Sequence, residues 1–258
     1  MRTIQVIGIG AGDPDQLTLQ AVRAIGAADA FFLLDKGEEK DELVALRRQI
    51  LAEHARQPHR VVTARDPERD RTAATAGYAP AVDDWRRRRA NVFERLILDE
   101  LGDGQCGAFL VWGDPALYDS TLGSLEEVHA RGTAEFTWNV IPGVSSVSTL
   151  AARHRTGLNQ VGRPVRITTG RRLAEEGLPP GADDVVVMLD ARRAFAGLAG
   201  QGLHIYWGAY LGTPDEILLS GPLDAPLAEH IARVREEARA RKGWIMDTYL
   251  LRRPATRD

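Results

Sequence analysis

The chain has 258 residues, 44% of them hydrophobic, enough for one large or two modest domains whose core needs no covalent staples. A single cysteine, Cys106, excludes an intramolecular disulfide and a cysteine metal cluster, and suits a reducing cytoplasm. The net charge of −3 argues against non-specific nucleic-acid binding.

In chain order, "TIQVIGIG" reads as a first strand running into a glycine loop, not as a signal peptide. Thr18 suits the N-cap of a helix through "LQAVRAIGAA", and "AFFLLD" is a second strand. "DELVALRRQILAEHA" is helical, with Leu43, Leu46, Ile50 and Leu51 on one face, and "RVVTA" is strand-like. A long helix is predicted over "DDWRRRRANVFERLILDEL", with Val92, Phe93, Leu96, Ile97 and Leu101 as its apolar stripe. "CGAFLVW" and "FTWNVIPG" are two further strands, so the first part predicts a mainly parallel sheet. The uncharged run Phe136 to Ala152 is broken by Pro142, Gly143 and five hydroxyl residues, too polar to span a membrane.

After Pro142 the character shifts. "SSVSTLAARH" starts a helix, and "PVRITTG", "DVVVMLDA" and "LHIYWG" are short strands. "EILLSGPL" and "GWIMDTYLLRR" bracket the helix "PLAEHIARVREEARARK", a pattern of a mixed sheet. The fold class expected is therefore α/β with two domains, 1–141 and 142–258, and a cleft between them where small-molecule sites usually form.

Two loops carry Gly-Asp-Pro after a strand, "GIGAGDPDQLT" and "VWGDPALYD". Gly8 and Gly10 match the start of the dinucleotide pattern G-x-G-x-x-G, and Asp35 ends the second strand as a ribose-binding acid would. The third glycine is due at position 13, where Asp13-Pro14 stands instead. That pair places negative charge and a missing N–H where a diphosphate needs donors, which argues against a nicotinamide reductase. A ligand with a sulfonium, an amine and hydroxyls suits such a loop better.

The combination of "GIGAGDPDQLT", "VWGDPALYDSTL", "VIPGVSSVSTLAA", "VVVMLDA" and "YWGAYLGTPDEILLSGPL", in that order, resembles the cobalamin-type (class III) tetrapyrrole methyltransferases over essentially the whole chain. The resemblance implies two α/β domains of the tetrapyrrole methylase type, with S-adenosyl-L-methionine in the cleft between them and S-adenosyl-L-homocysteine as product. The family commonly has G-x-G-P-G-D in the first loop; here the middle residue is Ala11. With that alanine, "FFLLDKGEEKDEL", "ARDPERDRTAATAGY" and "VDDWRRRRANVFERLI" resemble the branch that methylates C1 of the corrin precursor and expels acetic acid. Another ring position is the first alternative, and a non-catalytic module keeping only the fold is another.

By the same resemblance, Trp112, Gly113, Asp114, Leu117 and Tyr118 contact the donor, as do Ser145 and Ser146, which are equally suited to capping their helix. Met188 matches the apolar residue beside the adenine and is equally an ordinary core residue; Trp207 and Gly208 match the next contact loop, Trp207 being equally suited to pack the domain interface; Pro222 and Leu223 match the last. Gly10 and Gly12 line the substrate side. Of the 33 basic residues only Lys36, Lys40 and Lys242 are lysines, so 30 are arginines. Genome base composition explains this, or else a need for the rigid fork that grips planar carboxylates. A macrocycle bearing many acetates and propionates makes Arg65, Arg69 and Arg71 candidates. Arg86 to Arg89 span more than one helical turn and read better as a solvated face. Asp13 and Asp35 are nominated for proton transfer, Asp35 being equally a cap or loop charge. The six histidines show no i, i+4 pair and nothing argues for a metal. A homodimer is expected by analogy alone.

Overall fold

The computed structural model of the chain describes residues 1–35, 41–68 and 75–254. It divides into two compact units, Met1–Gly10 with Pro14–Val144, and Ala11–Asp13 with Ser145–Asp258.

In the first unit the strands are β1 (Arg2–Gly8), β2 (Ala30–Asp35), β3 (Arg60–Arg65), β4 (Cys106–Val111) and β5 (Phe136–Ile141). They form one fully parallel sheet in the order β3-β2-β4-β1-β5. Helices α1 (Leu19–Ala27) and α2 (Asp41–His54) join the first three strands, and α3 (Thr75–Glu100) and α4 (Thr121–Arg131) join the rest. Alternate strand residues supply two apolar layers, as a sheet covered on both faces requires. Ile4, Val6, Phe32, Phe109 and Phe136 pack with Phe93 and Ile97 of α3 and Leu125 of α4. Ile7, Ile9, Phe31 and Leu110 pack with Ile25 of α1 and Ile50 of α2.

Thr18 caps α1 as expected, its hydroxyl accepting from the Ala21 amide at 3.0 Å. Helix α3 begins eight residues ahead of the expected Asp83, because Pro80 marks no boundary there. Helix α4 has Leu125 and Val128 buried and ends on Gly132 in the left-handed region.

The second unit begins its own elements with α5 (Ser146–Arg153). It adds β6 (Val165–Thr169), α6 (Gly170–Glu176), β7 (Asp184–Met188), β8 (His204–Ala209), β9 (Ile217–Pro222), α7 (Ala225–Lys242) and β10 (Asp247–Arg252). The sheet is mixed, ordered β6-β7-β10-β8-β9, with only β6 and β7 parallel among its neighbours. Asp224 caps α7 by accepting from the Leu227 amide, and Gly243 ends it in the left-handed region.

Polar groups run through this second core. Arg235 donates to Asp247 at 2.9 Å and to the Asp190 carbonyl at 2.7 Å. Tyr249 donates its hydroxyl to Asp190 Oδ2 at 2.7 Å. Burial pushes the Asp247 carboxyl up, with Arg235 opposing, and pushes the Tyr249 hydroxyl far up, so that it stays protonated.

Candidate functional site

In the first unit, α1 and α2 cover one face of the sheet and α3 and α4 the other. The connections leaving β4 and β1 therefore go to opposite faces, and so do those leaving β4 and β2. Open α/β sheets take ligands at such switch points, beyond the carboxyl ends of the strands.

The loops leaving β1 and β4 meet at the β4–β1 switch point through Gly10 and Gly113. Gly113 donates to the Gly10 carbonyl at 2.7 Å, and Gly10 returns a bond to Gly113 at 3.4 Å. Asp114 locks the second loop: Oδ1 accepts from the Ala116 amide at 2.7 Å and Oδ2 from the Gly143 amide at 3.0 Å. The loops after β1, β4 and β5 thus interlock at a place where side chains cannot enter. A Cβ on Gly143 would lie 2.1 Å from the Gly113 carbonyl oxygen, and one on Gly8 2.6 Å from the Gly143 nitrogen.

Beyond the lock, the Leu117 amide closes a turn on the Asp114 carbonyl. Tyr118 holds a left-handed backbone (φ 53°) and is 47% exposed. A non-glycine residue in that region is strained, and such strain gathers at ligand-binding loops. Trp112 lies below, with the Arg47 guanidinium 5.9 Å from its ring centre. The loop after β1 continues into a short 3-10 turn at Pro14–Gln16, and α1 starts only at Leu19. No helix N-terminus therefore opens directly off the glycine loop, as a dinucleotide cradle requires.

In the second unit, Ala11–Asp13 packs with the loop after β8. A Cβ on Gly12 (φ 152°) would lie 2.6 Å from Thr213 Cγ2, and one on Gly212 2.9 Å from the Asp13 nitrogen. The Asp13 carboxylate faces Arg153 at 3.5 Å, and Arg153 also donates to Glu216 at 3.1 Å. Ser145 caps α5, accepting from the Ser148 amide at 3.2 Å, while Ser146 meets the Thr248 hydroxyl at 3.3 Å.

Met188 is half-buried at the end of β7. Leu189, next to it, is 63% exposed with φ 55°. The Trp207 indole is fully buried and donates to Asp247 at 3.1 Å, while the Trp207 carbonyl is bonded to His154 at 3.0 Å. A Cβ on Gly208 would meet Leu211 at 2.7 Å. Pro222 is exposed, whereas Leu223 is buried with its amide and carbonyl bonded to Leu203 and Gly200.

Asp35 is exposed at the end of β2, and Arg65 is exposed and paired with Glu68 at 3.2 Å. Arg69 and Arg71 lie outside the described residues. Arg86, Arg87 and Arg88 do form an exposed face, paired with Asp83 and Asp84. Arg89 differs: it is buried against Asp66 at 3.2 Å, between the rings of Trp85 and Phe93. A run of four on a helix must turn one member inward. Sequence reasoning passed over Arg47, Arg153 and Leu189. For Arg47 a signal existed, because it falls in line with Leu43, Ile50 and Leu51 on the apolar stripe of α2.

This fold and these loops are those of the methylases that act on cyclic tetrapyrroles. The profile of the tetrapyrrole (corrin/porphyrin) methylases matches residues 3–226, and the chain belongs to that family. It is 48% identical to the precorrin-6A synthase [deacetylating] of Sinorhizobium sp, over 100% of this chain and 98% of that one. Among solved structures, a cobalamin synthesis related protein (CobF) of Corynebacterium diphtheriae aligns with TM-score 0.84 and 37% identity, covering 98% of this chain and 99% of that one. The uroporphyrin-III C-methyl transferase of Thermus thermophilus, solved with S-adenyl homocysteine, shares the fold at TM-score 0.59 and 19% identity, over 96% and 91% of the two chains.

Proposed function

We propose that this chain methylates C1 of precorrin-5 with S-adenosyl-L-methionine and releases acetic acid, giving precorrin-6A in aerobic cobalamin biosynthesis. The observation that carries this reading is the 48% identity to the Sinorhizobium precorrin-6A synthase across nearly the whole of both chains. Function resides in sites and not in folds, so likeness across the whole chain weighs more than a shared pair of sheets.

The residues present suit the donor. Its adenine needs exposed apolar surface, and Leu189 presents such surface from strained backbone. When bound, the donor supplies a methyl on a good leaving group, so the protein's task is mainly to position the two reactants. Gly113 and Asp114 act by shaping the loop, and Trp207 and Leu223 support their strands from within the core. Ser145 holds the start of α5, and Ser146 adds a hydroxyl beside it. Met188 and Gly208 flank the remaining donor surface, with Pro222 at its edge. On the substrate side, Gly10 and Gly12 keep the first loop thin, and Arg65 offers charge to a carboxylate. Asp13 and Asp35 handle protons, and the acetyl carbon must receive a water as acetic acid leaves. The enzyme works in the cytoplasm as a homodimer.

Calorimetry with S-adenosyl-L-homocysteine and with NADH tests the donor. Binding of the first and not the second is expected; the reverse would restore the reductase. A methylated product without acetic acid would point instead to a different ring position.

A further inference from the structure

Arg47 occupies an unusual place. Its Nε donates to the Leu110 carbonyl at 3.1 Å and its Nη1 to the Leu43 carbonyl at 2.8 Å. The pairing of β2 with β4 ends at Phe32 and Phe109, so the Leu110 carbonyl that Arg47 meets lies just where the two strands part. That gap is the second switch point of the sheet, since the chain leaves β2 towards one face and β4 towards the other.

Among the described residues the guanidinium has no ion-pair partner, and the Trp112 ring lies 5.9 Å from it. Burial draws its pKa down to about 10, with Asp119 opposing from a distance, and it remains a cation at neutral pH. Asp119 Oδ1 accepts from the Thr121 amide at 2.6 Å. No carboxylate of the described residues forms a salt bridge with Arg47. Arg47 is half-buried, and two carbonyls orient its cation without neutralising it, so a counter-ion placed there is favoured. Among the described residues Nη2 and the second hydrogen of Nη1 have no hydrogen-bond partner, and they form the edge that a carboxylate grips with both oxygens.

We propose that Arg47 is a substrate-binding residue whose guanidinium receives a peripheral carboxylate of the macrocycle at the gap between β2 and β4. The ligand's chemistry rests on the tetrapyrrole reading above; the choice of residue rests on the geometry alone.

The test uses uroporphyrin, a macrocyclic octacarboxylate, and its octamethyl ester, with binding to the full chain followed by fluorescence. The wild type is expected to prefer the acid. Arg47→Gln should weaken acid binding about tenfold or more and leave the ester unchanged. Arg47→Lys should recover part of the preference, since it restores charge without the fork. Unchanged affinity for S-adenosyl-L-homocysteine shows that each variant is folded. Should Arg47→Gln not fold, Arg47→Lys reads the same acid-over-ester preference, which should fall below that of the wild type. Equal loss for acid and ester, no loss for the acid, or a wild type indifferent to esterification would each overturn the proposal. Acetic acid release from precorrin-5 by the wild type is measured separately. Its absence beside an Arg47-dependent preference for the acid would sink the reaction and spare the residue.

Discussion

The two units hold five-stranded sheets by different means. In the first, two apolar clusters cover the faces of the sheet, and one buried ion pair, Arg89 with Asp66, lies against the Phe93 ring. In the second, charge runs through the core, where Asp190, Arg235, Asp247, Trp207 and Tyr249 form one hydrogen-bonded set. A residue type therefore means different things in each unit. Asp114 locks a loop at a strand end, whereas Asp247 is an internal counter-ion. Substitutions should separate the two roles cleanly.

The largest effect is expected at the internal set. Asp247→Leu strands the Arg235 cation, which is 7% exposed, and should cost about 3–5 kcal/mol in urea unfolding. Next comes Gly143→Ala, whose new methyl meets a carbonyl and not a yielding side chain. It should cost about 1–3 kcal/mol and abolish calorimetric binding of S-adenosyl-L-homocysteine. Its counterpart is Gly123→Ala in α4, where a Cβ meets nothing within 4 Å; this change should stabilise by about 0.5–1 kcal/mol.

Asp114→Ala frees two backbone amides and should weaken donor binding about tenfold, at a stability cost of about 1–3 kcal/mol. Unchanged donor affinity in that variant would remove the loop from the donor site.

The smallest effect concerns pH. Burial, then Arg252 and His154, hold His204 below the ordinary histidine value. On acidification the unfolded chain takes up this proton first. The contribution of His204 is thus intact above about pH 6.5 and is lost as pH falls below it. Urea midpoints at pH 7.5 and 5.5 should therefore differ slightly more for the wild type than for His204→Gln.

Strong periodicity made much of the fold legible. β2, β4 and α7 were readable from uninterrupted apolar or amphipathic runs, and Thr18 from its cap position. Helix α4 has Leu122, Leu125 and Val128 spaced at threes, but the glycine and hydroxyls around them blur that period in the sequence. Helix α6 is too short to show a period. At the site, both Gly-Asp-Pro loops were visible as turns, but not their bond to each other, since no local pattern reports a contact between Gly10 and Gly113. For the same reason Asp13 gave no hint of Arg153, and Arg89 none of Asp66. Arg47 was hidden differently: a charged letter on an apolar stripe looks like noise until the strand ends beside it are known.

The central claim is a methyl transfer coupled to loss of the acetyl group. Its most direct test incubates the chain anaerobically with precorrin-5 and methyl-labelled S-adenosyl-L-methionine, then counts products. One labelled methyl at C1, one S-adenosyl-L-homocysteine and one acetic acid per macrocycle are predicted. Label at any other carbon, or S-adenosyl-L-homocysteine formed without acetic acid, would contradict the account.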